Sequence, residues 1–87
     1  MNTTQLRYFI TAAQLQNLSR AAALLHLSQP SLSKSISRLE EEIGVPLFNR
    51  NGKKLTLNAQ GQRFMESASR ILKEADHAVT EIQEMGR

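Results

Sequence analysis

Apolar residues early in the chain recur at the three- and four-residue steps of a helix. Leu6, Phe9, Ile10 and Ala13 share one side of a first helix that Thr3 or Thr4 can cap, ending near Gln16-Asn17. Ser19 is suited to cap a second, short helix running from Arg20 to about His26, with Leu18 just outside it as a hydrophobic staple. This helix should bury some of Ala21, Ala22, Leu24 and Leu25. A new start follows Leu27, with Ser28 as cap and Pro30 in the first turn, where a missing N–H costs nothing. The third helix should bury Leu32, Ile36, Leu39 and Ile43, spaced 4, 3, 4, and stop at Gly44 and Pro46.

The period then shortens. Leu47 to Arg50 and Lys54 to Leu57 read as two short strands around Asn51-Gly52, a strong hairpin signal. Asn58 can cap a last helix from about Ala59 to Met85. The pattern is mainly α: three helices and a two-stranded β wing over residues 1–58, then a long helix over residues 59–87. The second and third helices, joined by about four residues, have the form of a helix-turn-helix, and with the hairpin they make it winged.

In the last helix Phe64, Ala68, Ile71, Ala75, Ala78, Ile82 and Met85 follow one another at spacings 4, 3, 4, 3, 4, 3, the heptad pattern of paired helices. Met65, Leu72 and Val79 widen the stripe. The Phe64 end should pack on the winged domain. The remainder projects too far for so small a domain to cover, so a second copy is the natural cover, with packing inside a monomer as the alternative.

Length and composition narrow the picture. Eighty-seven residues, 40% of them hydrophobic, suffice for one modest core and not for two. There is no cysteine, which fits a reducing cytosol and excludes thiolate chemistry and cysteine-based zinc sites. The longest apolar run, Ala21 to Leu25, is far short of the roughly 20 residues of a membrane span. The first residues lack the basic and apolar regions of a secretory signal, so a cytoplasmic protein is expected.

The net charge of +3 is unevenly placed. Residues 1–39 hold Arg7, Arg20, Lys34 and Arg38 and no acid; residues 43–63 hold Arg50, Lys53, Lys54 and Arg63 and again no acid. Glu40, Glu41 and Glu42 separate these stretches, and residues 64–87 carry a net charge of −2. Such asymmetry suits a polyanion at the front, although a basic solvated surface would look the same.

The third helix is more informative. Opposite its core positions lie Pro30, Lys34 and Ser37, flanked by Ser33 and Arg38, a small, polar or cationic face. Small residues let a backbone approach another surface, while serine, glutamine and lysine offer donors and acceptors for base edges and phosphates. The three glutamates oppose the helix dipole and read as the solvated end, partly offset by Arg38 pairing with Glu41 or Glu42.

The stretch LSRAAALLHLSQPSLSKSISRLEEEIGVPLFNR, Leu18 to Arg50, resembles the amino-terminal domain of the LysR-type transcriptional regulators. Two departures stand out. Where that family usually has Leu-Thr-x-Ala-Gly entering the last helix, this sequence has Leu57-Asn58-Ala59-Gln60-Gly61, and Lys34 stands where arginine is frequent.

The resemblance implies a recognition helix in the major groove of double-stranded DNA, with Gln29, Pro30, Ser31, Ser33 and Lys34 nearest the bases. Gln29 would pair with adenine, and Pro30 with Ser31 would meet a thymine methyl. The wing, including Arg50, Lys53 and Lys54, would lie over the adjacent minor groove or its phosphates. Ser19, Arg20, Ser37 and Arg38 are candidate phosphate contacts, with surface ion pairs as the alternative for Arg20 and Arg38. The last helix would be the dimerising linker. In the family it leads to a small-molecule-binding domain that has no counterpart here, and full-length members can form tetramers.

An enzyme is not expected. His26 and His77 lie in different helices, neither beside a nucleophile, and there is no glycine-rich phosphate loop. His26 suits the C-terminal end of the second helix and His77 should be solvated. No metal ion or cofactor is implied. A winged helix serving only protein interaction is the competing class.

Overall fold

A computed structural model describes all residues, 1–87. It contains α1 (Thr3–Leu15), α2 (Leu18–Leu24), α3 (Gln29–Ile43), β1 (Phe48–Asn51), β2 (Lys54–Leu57) and α4 (Ala59–Met85). This is a winged helix-turn-helix with a long C-terminal helix. Asn2 caps α1 in place of Thr3 or Thr4, its side chain accepting from the Gln5 N–H.

The start of α2 also lies earlier than expected. Asn17, not Ser19, is its cap and accepts from the Arg20 N–H at 2.9 Å. Leu18 is therefore inside the helix and buried. Both residues are good caps by type, and tertiary pairing decides between them. The Leu18 N–H donates to the Lys53 carbonyl at 2.8 Å, and Leu55 N–H donates to the Gln16 carbonyl at 3.2 Å. The α1–α2 connection thus pairs with β2 as a short third strand, bridging Asn17 and Lys54.

Helix α2 ends at Leu24, short of His26. His26 takes a left-handed φ of 57°, donating to the Ala23 carbonyl while Leu27 N–H donates to that of Ala22. These two bonds make a Schellman closure with histidine in the place glycine commonly fills, and this sets the turn of the helix-turn-helix. Leu24 remains 64% exposed.

Ser28 caps α3 as expected, accepting from the Ser31 N–H, and Gly44 ends it at φ 94°. Leu32, Ile36 and Leu39 are fully buried, whereas Ile43, the last residue of α3, is 39% exposed. The hairpin pairs Asn51 with Lys54, so the two-residue loop is Gly52-Lys53 and Asn51 belongs to the strand. Positive φ at Gly52 alone fits a type II′ turn, which wants glycine first.

One core joins these elements. Phe9 lies at its centre, its ring 5.3 Å from that of Phe48 and 5.1 Å from that of Phe64. The core continues across the change from wing to last helix, because Ala68 and Leu72 of α4 are buried in the same cluster. Arg7 and Asp76 pair at 2.9 Å and tie α1 to the middle of α4. No helix is long and apolar enough to cross a membrane.

Candidate nucleic-acid interface

The outward face of α3 and the wing form one surface. Arg50, on β1, donates from Nη1 to Ser33 Oγ at 2.8 Å and from Nη2 to Ser37 Oγ at 3.4 Å. The bond from Leu18 N–H to the Lys53 carbonyl brings the wing loop beside the start of α2, where Ser19 and Arg20 sit. Ser19 Oγ in turn donates to Gln29 Oε1 at 2.9 Å. The sites expected in four separate segments are therefore contiguous: Ser19 and Arg20, Gln29 to Lys34, Ser37 and Arg38, and Arg50 to Lys54.

At one end of α3, Leu18, Gln29, Pro30 and Ser33 line a shallow hollow. Pro30, Ser31 and Lys34 are exposed, while Gln29 and Ser33 are half-buried. Since Gln29 Oε1 already accepts from Ser19, its amide nitrogen is the group with both donors free. On the other flank, Ser31, Lys34 and Arg38 face Thr4 and Tyr8 of α1 across an open cleft of about 620 Å³. The α1 side of that cleft was not legible in the sequence, because no periodicity brings residues near position 4 against residue 38.

Ion pairing sorts the cations of the front of the chain. Arg7 pairs with Asp76, Arg50 approaches Glu40 at 3.6 Å, and Arg63 pairs with Glu66. Arg20, Lys34, Arg38, Lys53 and Lys54 have no carboxylate within 4 Å. The expected pairing of Arg38 with Glu41 or Glu42 is absent; Glu42 is instead 2.7 Å from the N-terminal amine.

Glu40 overturns the picture of a uniformly solvated acidic block. Its Oε2 accepts from the backbone N–H groups of Leu47 and Phe48 at 2.7 and 3.3 Å. It therefore clamps the entry to the wing onto α3. Sequence spacing gave no sign of this, because the partners are backbone groups beyond the Gly44 turn.

On α4 the seam divides. Ala68 has no exposed surface and Phe64, half-buried, packs edge-on against Phe9, so both contribute to this chain's own core. Their side of the helix is the one facing α1. Ile71 is 42% exposed, Ala75 is half-buried, and Ala78, Ile82 and Met85 lie open, with Val79 beside them. His77 is exposed and 3.9 Å from Glu81.

A family profile described as "Bacterial regulatory helix-turn-helix protein, lysR family" matches residues 3–62. The chain is 49% identical over 86 residues to the HTH-type transcriptional regulator BsdA of Bacillus subtilis (strain 168), covering 98% of this chain and 30% of that protein. It is 47% identical over 78 residues to the Hca operon transcriptional activator HcaR of Escherichia coli (strain K12), covering 90% of this chain and 26% of that one. It thus spans less than a third of the length of these relatives. Among solved structures, a CbnR_DBD–DNA complex is similar over the whole of both chains, with a TM-score of 0.94 and 37% identity. A BenM_DBD complex with catB site 1 DNA has a TM-score of 0.93 and 31% identity, covering 99% of this chain and 92% of that one.

Proposed function

The chain belongs to the lysR family of bacterial regulatory helix-turn-helix proteins, and from this we propose that it is a sequence-specific DNA-binding domain of a transcription regulator. It binds double-stranded DNA, with α3 in the major groove and the wing at the adjacent minor groove or backbone. The observation that carries this reading is the set of unpaired cations. Of the eight cations in residues 1–63, Arg20, Lys34, Arg38, Lys53 and Lys54 are the five left without a carboxylate, and they lie on α2, α3 and the wing. Cations left free on these elements are available to neutralise phosphates.

Gln29, Pro30, Ser31, Ser33 and Lys34 are the groups placed to meet base edges. Ser19, Arg20, Ser37 and Arg38 flank them toward the backbone. Lys34, as a point charge, reads less geometry than a guanidinium would. The two functions of α4 follow from its division: it braces the winged domain as far as Leu72 and pairs with a second copy through Ile71, Ala75, Ala78, Ile82 and Met85. A dimer binds two half-sites related by the same two-fold axis. The compartment is the cytoplasm, at the nucleoid. A small-molecule effector, or a further step to tetramers, would act through chain outside this segment, since the relatives are far longer.

Titration with random-sequence duplex DNA tests the reading. Binding should appear at ~10⁻⁴ to 10⁻⁶ M near physiological salt, and a duplex selected from a randomised pool should bind at least ~10³-fold more tightly. Absence of duplex binding at 10⁻⁴ M would leave only a protein-interaction role for the fold.

A further inference from the structure

Resting on the reading of α3 as the base-reading helix, we propose that Arg50 is a positioning residue for that helix and not a phosphate contact. Its guanidinium fixes Ser33 as a hydrogen-bond donor directed at acceptors on DNA.

The guanidinium is held from several sides. It reaches Ser33 Oγ at 2.8 Å and Ser37 Oγ at 3.4 Å, and its Nη2 lies 3.6 Å from Glu40 Oε1. Positions 33, 37 and 40 share one side of α3 by helical spacing. Glu40 is itself fixed, because its other oxygen accepts the Leu47 and Phe48 N–H groups. A connected path therefore runs from the backbone at the start of β1 through Glu40 and Arg50 to the two serines. The Glu40 side chain is 16% exposed and that of Arg50 31%, so neither is freely solvated.

Arginine has donors only, so Ser33 Oγ must accept from it. One lone pair is thereby used, and a hydroxyl polarised by a cation becomes a stronger donor through its own proton. Ser33 then favours acceptors: purine N7, guanine O6, thymine O4 or a phosphate oxygen. The nearby Glu40 carboxylate offsets the charge of Arg50, which leaves little to release counterions on meeting DNA. Lysine cannot reproduce the arrangement, because a single ammonium cannot span two hydroxyls and a carboxylate in one plane.

The test uses a duplex selected by the wild-type protein, a random-sequence duplex, and the variants Arg50→Lys, Arg50→Gln, Ser33→Ala and Arg50→Lys with Ser33→Ala. Both Arg50 variants should lower the ratio of selected to random affinity by roughly tenfold, within the range for one base contact. The dependence of log affinity on log salt should keep its slope. Ser33→Ala should lower the ratio similarly, and the double variant should lose no more than either single one, as expected for groups acting as a unit. Circular dichroism establishes that each variant is folded; should Arg50→Gln fail, Arg50→Lys and the Ser33 pair suffice. Arg50→Lys with an unchanged ratio overturns the proposal, as do losses that multiply in the double variant. A slope flattened by about one unit in Arg50→Gln but not in Arg50→Lys would make Arg50 a phosphate contact. If the wild-type protein shows no preference for selected DNA, the proposed function falls first and this inference with it.

Discussion

Gly61 offers a sharp test of how α4 is seated on the winged domain. A Cβ built there would lie 2.0 Å from the Leu47 carbonyl oxygen and 2.9 Å from Leu57 Cδ2. Even a close C–H···O contact keeps carbon and oxygen about 3.3 Å apart, so Gly61→Ala requires a shift of about 1.3 Å. The obstructing atom is backbone and is pinned. Leu47 O accepts the Asn58 N–H at 3.0 Å, Leu47 N–H is held by Glu40, and the Leu47 side chain is buried. Asn58 also ties itself to the Pro46 carbonyl at 2.8 Å, so the helix start and the segment before β1 cannot separate cheaply.

Overpacking of this kind costs typically 1–3 kcal/mol, and the upper part of that range applies where backbone must move. Against it stands the helix preference for alanine over glycine, about 1 kcal/mol. The net expectation is a loss of about 2 kcal/mol. In a domain of this size each kcal/mol shifts Tm by roughly 4–8 °C, so Tm should fall by on the order of 10 °C. Thermal melts followed by circular dichroism, at one fixed protein concentration because the proposed dimerisation would be linked to stability, provide the assay. Gly86→Ala is the control. It sits at the end of the same helix, where a Cβ would meet nothing closer than 3.6 Å, and Tm should barely move. A Gly61→Ala protein that melts at or above wild type would show that α4 does not approach the Leu47 backbone as described.

Three further outcomes are expected. Gln29→Ala should cost ~1–3 kcal/mol of affinity for a selected duplex and leave random-duplex affinity nearly unchanged; equal losses on both would remove Gln29 from base reading. Lys53→Ala with Lys54→Ala should weaken binding to all sequences and flatten the log–log salt dependence by about one unit per lost phosphate contact, and an unaltered slope would place the wing off the DNA. Ile71→Asp should stay folded, because position 71 is 42% exposed within the chain, yet sediment as a monomer with much reduced affinity for a palindromic site. A normal dimer would move the seam elsewhere on α4.

Much of the fold is local and so could be read locally. Ser28, Gly44 and Asn58 each bound a helix by interactions with neighbours a few residues away, and the pairing of β1 with β2 spans only a two-residue loop. Misplacements occur where distant partners choose between local options. Asn17 and Ser19 can both cap, and β2 settles the matter by pairing with the connection between α1 and α2. The heptad on α4 is similarly two patterns superposed. Period alone cannot distinguish the side that meets α1 from the side left open, and the division appears only when Ala68 and Leu72 are seen in the core while Ile82 and Met85 are open.

The candidate site was legible in residue type and less so in connection. An acid-free stretch identifies which cations could serve DNA, but not which ones the fold spends internally. Arg7, Arg50 and Arg63 look identical in sequence to Arg20, Arg38 and Lys54, and only the position of a carboxylate separates them. That carboxylate comes from far along the chain for Arg7, from the other side of a turn for Arg50 and from the next helical turn for Arg63. Exposed pairs such as Arg7 with Asp76 contribute little stability, typically below about 1 kcal/mol. Their larger consequence is electrostatic: they cancel charge on α4 and at its junction with α1, away from α3. Of the unpaired cations, Arg20, Lys34, Arg38, Lys53 and Lys54 lie on α2, α3 and the wing, while Arg70, Lys73 and Arg87 lie on or just after α4 among five acids. A modest net charge of +3 can thus present a polarised face, because the acids lie along α4 from Glu66 onward and at the far end of α3.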